Sequence, residues 1–117
     1  MDTLDRDIEN FDLRRNLNHM DTQETAPLEA LTRLCAAARR DTGQSRRVAD
    51  FLLAWHNTPE NGGWDPTDLW NVDAPIAADI LTIVAAIRAQ PGKYPADVGF
   101  EPEIQQIWWL WRASQGS

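Results

Sequence analysis

The sequence predicts an all-α protein, a compact bundle of four main helices plus one short helix, preceded by a polar N-terminal arm. From residue 26 onward, apolar residues recur at the i, i+3, i+4, i+7 spacing of a single helix face. Clusters of proline and glycine separate these periodic stretches from one another. No stretch alternates polar and apolar residues over the length of a strand, so no sheet is expected.

Residues 1–25 are expected to form a flexible or conditionally ordered arm, and residues 26–117 a single helical domain. The arm is polar and acidic, and a short helix built on Leu4, Ile8 and Phe11 would be marginal in water by itself. Met1-Asp2-Thr3 recurs as Met20-Asp21-Thr22, so translation from Met20 is an alternative start. The remaining length suffices for one hydrophobic core but not for two.

The first two helices are predicted from their ends and from their apolar stripes. Pro27 lies in the first turn of the first helix, where its missing N–H does no harm, and Asp41-Thr42-Gly43 ends that helix. Its apolar face holds Leu28, Leu31, Leu34, Cys35 and Ala38. The second helix begins near Ser45 and ends before Thr58-Pro59, because a residue preceding proline resists helical geometry. Its stripe consists of Val48, Phe51, Leu52 and Trp55.

Aspartate followed by proline marks the beginning of the next two helices. The segment at residues 65–68 opens a short helix that continues through Trp70, and Asp73 opens a longer one. Apolar residues of this longer helix cover more than half of its circumference between Ile76 and Ile87, so we expect it to be the central and most buried helix. Gln90-Pro91-Gly92 ends it, and residues 93–99 are expected to form a loop.

The last predicted helix opens at Glu101-Pro102-Glu103 and is rich in tryptophan. One stripe of this helix holds Ile104, Ile107, Trp108 and Trp111. Trp109 points roughly 140° away from that stripe on a helical projection. Trp109 is therefore expected to face a second surface, separate from the apolar stripe.

The composition is that of a soluble, cytoplasmic protein with an acidic surface. No apolar run approaches the ~18 residues that span a membrane, and the N-terminus lacks the features of a signal peptide. The single cysteine, Cys35, lies on an apolar face, which favours a buried, inert thiol over a nucleophile. The net charge is −7, and residues 58–117 alone carry eight acids and three bases. This balance argues against general binding of nucleic acid, which requires neutralisation of phosphates.

Nothing in the sequence predicts an enzyme, a cofactor or a metal site. There is no glycine-rich phosphate loop and no cysteine pair, and the two histidines, His19 and His56, occur in unrelated contexts. At a helix end, His56 is expected to cap carbonyl groups. The densest carboxylate group consists of Glu60, Asp65, Asp68 and Asp73. Helix capping accounts for two of these aspartates and the helix dipole for Asp68, and their spacing misses that of a calcium-binding loop.

The six tryptophans divide into two groups. Trp55, Trp108 and Trp111 lie on apolar stripes and are expected in the core. For Trp64, Trp70 and Trp109 the core and a binding surface remain equally open, since tryptophan is also enriched at binding hot spots.

We predict a partner-binding surface that combines exposed carboxylates with tryptophan anchors. Its residues are Glu60, Trp64, Asp65, Asp68, Trp70, Asp73, Glu101, Glu103 and Trp109. The expected partner is a host protein or complex with a basic surface. A basic cluster made of Arg39, Arg40, Arg46 and Arg47 is most simply a solvated face, and contact with nucleic acid is the alternative.

A family resemblance is carried by two segments, RDTGQSRRVADFLLAW at residues 40–55 and GWDPTDLW at residues 63–70. They resemble a family of short proteobacterial proteins of unknown function that is carried by plasmids and integrative elements. The resemblance covers roughly residues 28–112 and implies no catalytic or binding residue.

What the resemblance implies is a context, because cargo of mobile elements often acts on host defence. Small, acidic, non-enzymatic proteins in that context resemble anti-CRISPR proteins as a functional class, several of which present carboxylates to nucleic-acid sites. The resemblance therefore suggests an inhibitor that docks on a basic surface of a host CRISPR effector complex. The alternative is a regulatory or maintenance accessory of the mobile element that contacts DNA, or a DNA-bound partner, through the arginine cluster.

Overall fold

The computed structural model describes residues 25–113, and it confirms the all-α prediction for them. Helix α1 covers residues 25–38, α2 covers Gly43–Asn61, α3 covers Ala74–Ala89 and α4 covers Glu101–Trp108. Two short 3₁₀ helices, Pro66–Asn71 and Pro95–Val98, lie between the longer helices, and a π-helical turn, Trp109–Ala113, follows α4. No strand occurs among the described residues. The arm expected at residues 1–25 lies outside them, except for Thr25, which is already helical.

Helix α2 is delimited by a side-chain cap at its start and by a kink near its end. Thr42 Oγ1 accepts a hydrogen bond from the Ser45 backbone N–H at 3.0 Å, which satisfies one of the free N–H groups of the first turn. Asn57 leaves helical geometry, with φ −165° and ψ 85°, and Pro59 follows in the last turn. The prediction that the second helix ends before Thr58-Pro59 is therefore confirmed for the regular part of α2, which breaks at Asn57, two residues before the proline.

The hydrophobic core is built around α2. Its buried apolar residues Val48, Ala49, Phe51, Leu52 and Leu53 occupy more than one face of the helix. From the other helices the core receives Leu31, Leu34, Cys35, Ile80, Ile83, Ile104 and Ile107. Four tryptophans pack against its edge while half-buried, namely Trp55, Trp64, Trp108 and Trp111. The expected core packing of Trp55, Trp108 and Trp111 is thus confirmed.

The prediction that α3 is the central, most buried helix is wrong. Only Ile80 and Ile83 of this helix are buried, whereas Leu81 is 54% exposed and Val84 is exposed as well. The packed neighbours of α3 lie on one side only, so its high apolar content exceeds what the fold covers. Leu28, predicted on the buried face of α1, is also exposed, because it borders an open groove between α1 and α3.

The chain after α3 contains more helix than the sequence predicts, and its last helix is shorter. The expected loop at residues 93–99 includes the 3₁₀ helix Pro95–Val98, where Asp97 accepts a hydrogen bond from the Tyr94 backbone N–H at 2.8 Å. The last α-helix ends at Trp108, and the π-helical turn follows it directly from Trp109. Because Trp111 Nε1 donates to the Ala38 carbonyl at 2.7 Å, this turn is held against the end of α1.

None of the described helices combines the length and the apolar character that crossing a bilayer requires.

The contrast between α2 and α3 predicts unequal costs for the same substitution. Leu52→Ala removes a fully buried side chain, so we expect the free energy of unfolding to fall by about 2–5 kcal/mol. Leu81→Ala, at an exposed position, is the matched control and should cost less than about 1 kcal/mol. Urea unfolding followed by far-UV circular dichroism measures both values. Equal losses would contradict the assignment of α2 as the central helix.

Candidate functional site

The segment between α2 and α3 returns along α2 and positions the first part of the predicted binding surface. Near its start, the rings of Trp64 and Phe51 pack edge to face, with centroids 4.9 Å apart. Further on, Asp68 Oδ1 pairs with Arg47 Nη1 at 2.7 Å. At its end, the Asp73 backbone N–H donates to Gln44 Oε1. Because the α2 partners run from residue 51 to 47 to 44, the segment lies antiparallel to the first half of α2.

These contacts separate the two tryptophans of this segment. Trp64 is half-buried and packs against the core. Of the two alternatives that the sequence left open for this residue, the structure therefore shows core packing. Trp70 is 83% exposed although it lies only six positions further along the chain. A tryptophan that leaves this much of its surface in water is unusual, because burying it would contribute several kcal/mol at about 25 cal/mol per Å².

The three aspartates around Trp70 occupy different environments. Asp65 is the N-cap of the first 3₁₀ helix, as predicted, and accepts hydrogen bonds from Thr67 N at 3.0 Å and Thr67 Oγ1 at 2.9 Å. These hydrogen bonds, from the backbone and then from the hydroxyl, lower the pKa of Asp65, so this exposed carboxyl stays charged. Asp68 is largely buried in its ion pair with Arg47. Only Asp65 of these two is open to a partner.

The capping role predicted for Asp73 is wrong for its side chain. Asp73 occupies the N-cap position of α3, but its carboxylate makes no capping hydrogen bond. It accepts instead from Gln44 Nε2 at 3.3 Å. The carboxylate therefore helps to fix the start of α3 to α2, and it remains exposed.

The second part of the predicted surface lies at the far end of α2. Trp109 is 67% exposed, as expected from its angle to the apolar stripe, and its ring meets that of Trp108 edge to face at 5.4 Å. Glu60 and Glu101 are exposed, and Glu103 is half-buried. At 1.5 Å per residue, about 13 Å of helix separates Arg47 from His56, so the predicted surface consists of two parts rather than one patch.

Arg112 attaches the π-helical turn, and with it Trp109, to α2. Its guanidinium donates from Nη2 to Asp50 Oδ1 at 2.8 Å and from Nε to the Asn61 carbonyl at 3.1 Å. Both members of the Arg112–Asp50 pair are more than two-thirds buried. An ion pair with this little solvent and an additional hydrogen bond contributes more than an exposed one.

The arginine cluster is partly engaged within the molecule. Arg39 donates to the Cys35 carbonyl at 3.1 Å and to Gln106 Oε1 at 2.8 Å, and Arg47 holds Asp68. Arg40 and Arg46 are exposed. Two of the four arginines predicted as an alternative nucleic-acid surface thus already have protein partners.

The Cys35 thiol is buried in the core, as the sequence predicts. Burial raises its pKa to about 12; Arg39 lowers it and Glu103 raises it by smaller amounts. The thiol therefore stays protonated at neutral pH, and the nucleophilic thiolate does not form.

The His, Cys, Asp and Glu side chains of the described residues do not form a metal site. Among residues 25–113, no group of three or more His, Cys, Asp or Glu side chains could hold a metal ion. His56 does not cap carbonyl groups as predicted; it lines a cavity, and its Nδ1 makes no hydrogen bond with the described residues. Asn61, which lies beyond the predicted end of the second helix, lines the same cavity. Its burial depends on the turn after the Asn57 kink, which leaves no trace in apolar periodicity.

The described residues thus define a small all-α protein that exposes two tryptophans and several carboxylates. A family of unknown function, DUF7673, matches residues 28–112, and the chain belongs to this family. Comparison with curated proteins and with solved structures gave no significant match.

The Arg112 attachment predicts a measurable loosening of the C-terminal turn. Arg112→Met leaves Asp50 without its partner, and we expect a loss of about 1–2 kcal/mol in the free energy of unfolding. Amide hydrogens of residues 109–113 should exchange faster in the variant, as measured by NMR. The matched control is Arg33→Met, whose pair with Asp79 has a largely exposed arginine and should therefore cost less stability than Arg112→Met.

The raised pKa of Cys35 predicts alkaline destabilisation. The folded protein holds the thiol proton more tightly than the unfolded chain, whose thiol has a pKa of about 8.5. This contribution is complete below about pH 8.5 and is lost as the pH rises towards about 12. Urea unfolding at pH 7.5 and pH 10 measures the loss, and Cys35→Ala should remove this part of the pH dependence. An identical pH dependence in the variant would refute the assignment.

Proposed function

We propose that this protein is a non-enzymatic interaction module that binds a basic surface of a partner protein. The observation that carries the proposal is the 83% exposure of Trp70, which lies five residues after Asp65, whose carboxylate is exposed and charged. Tryptophan is the residue most enriched among binding hot spots, and its burial against a partner would recover the hydrophobic free energy that the isolated fold leaves unused.

The charge of the chain supports a basic partner. Residues 58–117 carry eight acids against three bases, and both exposed tryptophans lie in this half. Carboxylates around an aromatic anchor speed the encounter with a cationic surface, whereas the anchor itself determines how slowly the complex dissociates. The same negative field opposes binding to phosphate backbones.

The specific partner that we propose is a host CRISPR effector complex, which presents basic surfaces to nucleic acid. This step rests on the resemblance to proteins carried by mobile elements, and the surface chemistry is compatible with it. By occupying a nucleic-acid-binding surface, the acidic module would prevent the effector from engaging its target.

The experiment measures plasmid interference in cells that carry defined CRISPR types, with and without this protein. We expect interference to be lost in at least one type. Trp70→Ala should weaken inhibition by about tenfold or more, as expected for a hot-spot residue worth about 2 kcal/mol. Asp65→Lys should weaken it by slowing association, and the effect should grow at low ionic strength.

Glu29→Lys provides the matched control, because it makes the same charge change at an exposed position of α1. It should leave inhibition within about twofold of the unchanged protein. Undiminished interference in every CRISPR type would refute the specific partner. Equal effects of Asp65→Lys and Glu29→Lys would refute the surface around Trp70, since net charge alone would then explain the loss.

A further inference from the structure

A cavity of about 240 Å³ lies where the end of α2 meets α4, within the second part of the predicted surface. Its floor includes the buried side chain of Ile104. Its aromatic wall consists of Trp108 and Trp109, packed edge to face, and Trp109 is 67% exposed at the rim. The cavity is therefore open to solvent next to an indole ring.

The polar groups of this cavity have an unused capacity to accept hydrogen bonds. Asn61 is only 7% exposed, and its Nδ2 donates to the Leu53 carbonyl at 3.0 Å. Its Oδ1 accepts no hydrogen bond from any described residue, and His56 Nδ1 likewise has no described partner. A buried acceptor without a donor costs free energy, but both atoms are closed to solvent, so a ligand in the cavity could bond to them only after their side chains rotate.

The charged groups around the cavity favour a cation. Glu60 lines it and is exposed. Gln105, also in the lining, donates to Glu101 Oε2 at 3.3 Å, which places a second carboxylate one side chain away. Arg112 donates to the carbonyl of Asn61, and its charge is paired with that of Asp50. Among the described residues, the local balance is therefore negative.

We propose that this cavity receives an arginine side chain of the partner protein, an inference that rests on the proposed function and deepens it. A guanidinium stacks on an indole face through cation–π attraction. It also carries five N–H donors in a planar fork, so it can stack on an indole and donate to a carboxylate at the same time. A lysine ammonium would meet Glu60 but would stack less well, and it loses more hydration on entry.

The test is NMR titration of the ¹⁵N-labelled protein with Nα-acetyl-arginine methylamide. The probe should shift the indole N–H resonances of Trp108 and Trp109 and leave that of Trp70 unmoved, with a dissociation constant on the order of millimolar for so small a ligand. The citrulline analogue has the same shape without the charge and should bind at least about tenfold more weakly. The lysine analogue should lie between the two.

Variants locate the site. Trp109→Ala, at an exposed position, should abolish the shifts of the Trp108 indole, and Glu60→Gln should weaken binding by about three- to tenfold. Trp70→Ala is the matched control and should bind the probe unchanged, because Trp70 lies beside the first half of α2. Equal affinity for the arginine and citrulline probes, or unchanged affinity in Trp109→Ala, would overturn the proposal.

The same variants separate this proposal from the proposed function. If Trp70→Ala loses inhibition while Trp109→Ala and Glu60→Gln retain it, the arginine cavity is refuted and the interaction function stands. If the arginine probe binds as described but interference persists in every CRISPR type, the cavity stands and the proposed CRISPR partner does not.

Discussion

Helix α2 is the element on which the rest of the structure depends. It contributes buried side chains to the core on more than one face. It also holds the later segments by polar contacts, since Arg47 binds Asp68 and Asp50 binds Arg112. The Trp55 indole N–H adds a third attachment, to the Lys93 carbonyl at 3.0 Å. A helix that is central in this way leaves the other helices one covered side each, which explains why α3 exposes part of its apolar surface.

The arrangement of the connection after α2 follows from the kink at Asn57 and the turn that contains Pro59. After this turn, the ring of Trp64 packs against Phe51 of α2. This contact directs the connection between α2 and α3 back along α2. The 3₁₀ helix that follows has a tighter pitch than an α-helix, and side chains three residues apart lie above one another. In this geometry Leu69 packs against the core while its neighbour Trp70 is left exposed.

Much of the fold was accessible from the sequence, because helix ends and apolar stripes are local properties. The break before Pro59, the cap at Asp65 and the outward direction of Trp109 all depend on a few neighbouring residues. The peripheral position of α3 could not be predicted from the sequence. Its apolar content gives the amount of apolar surface on the helix, but it does not give the number of neighbouring helices that cover this surface. The pairing of Arg47 with Asp68 joins positions 21 residues apart, and no periodicity encodes it. Trp64 and Trp70 differ only through such long-range contacts.

Internal ion pairing leaves the C-terminal half of the chain with a negative surface charge. The pairs Arg33–Asp79, Arg47–Asp68 and Arg112–Asp50 use three bases and three acids of the described residues. In residues 58–117 this leaves Arg88 and Lys93 as the only bases outside these pairs, against six acids. Charges that face solvent act on a partner over a distance of about a Debye length, roughly 8–10 Å at moderate ionic strength, whereas paired charges largely cancel. The charges of residues 58–117 that lie outside these pairs therefore still have a net value of −4, so an approaching protein meets a negative field on this half, and the exposed tryptophans lie within that field.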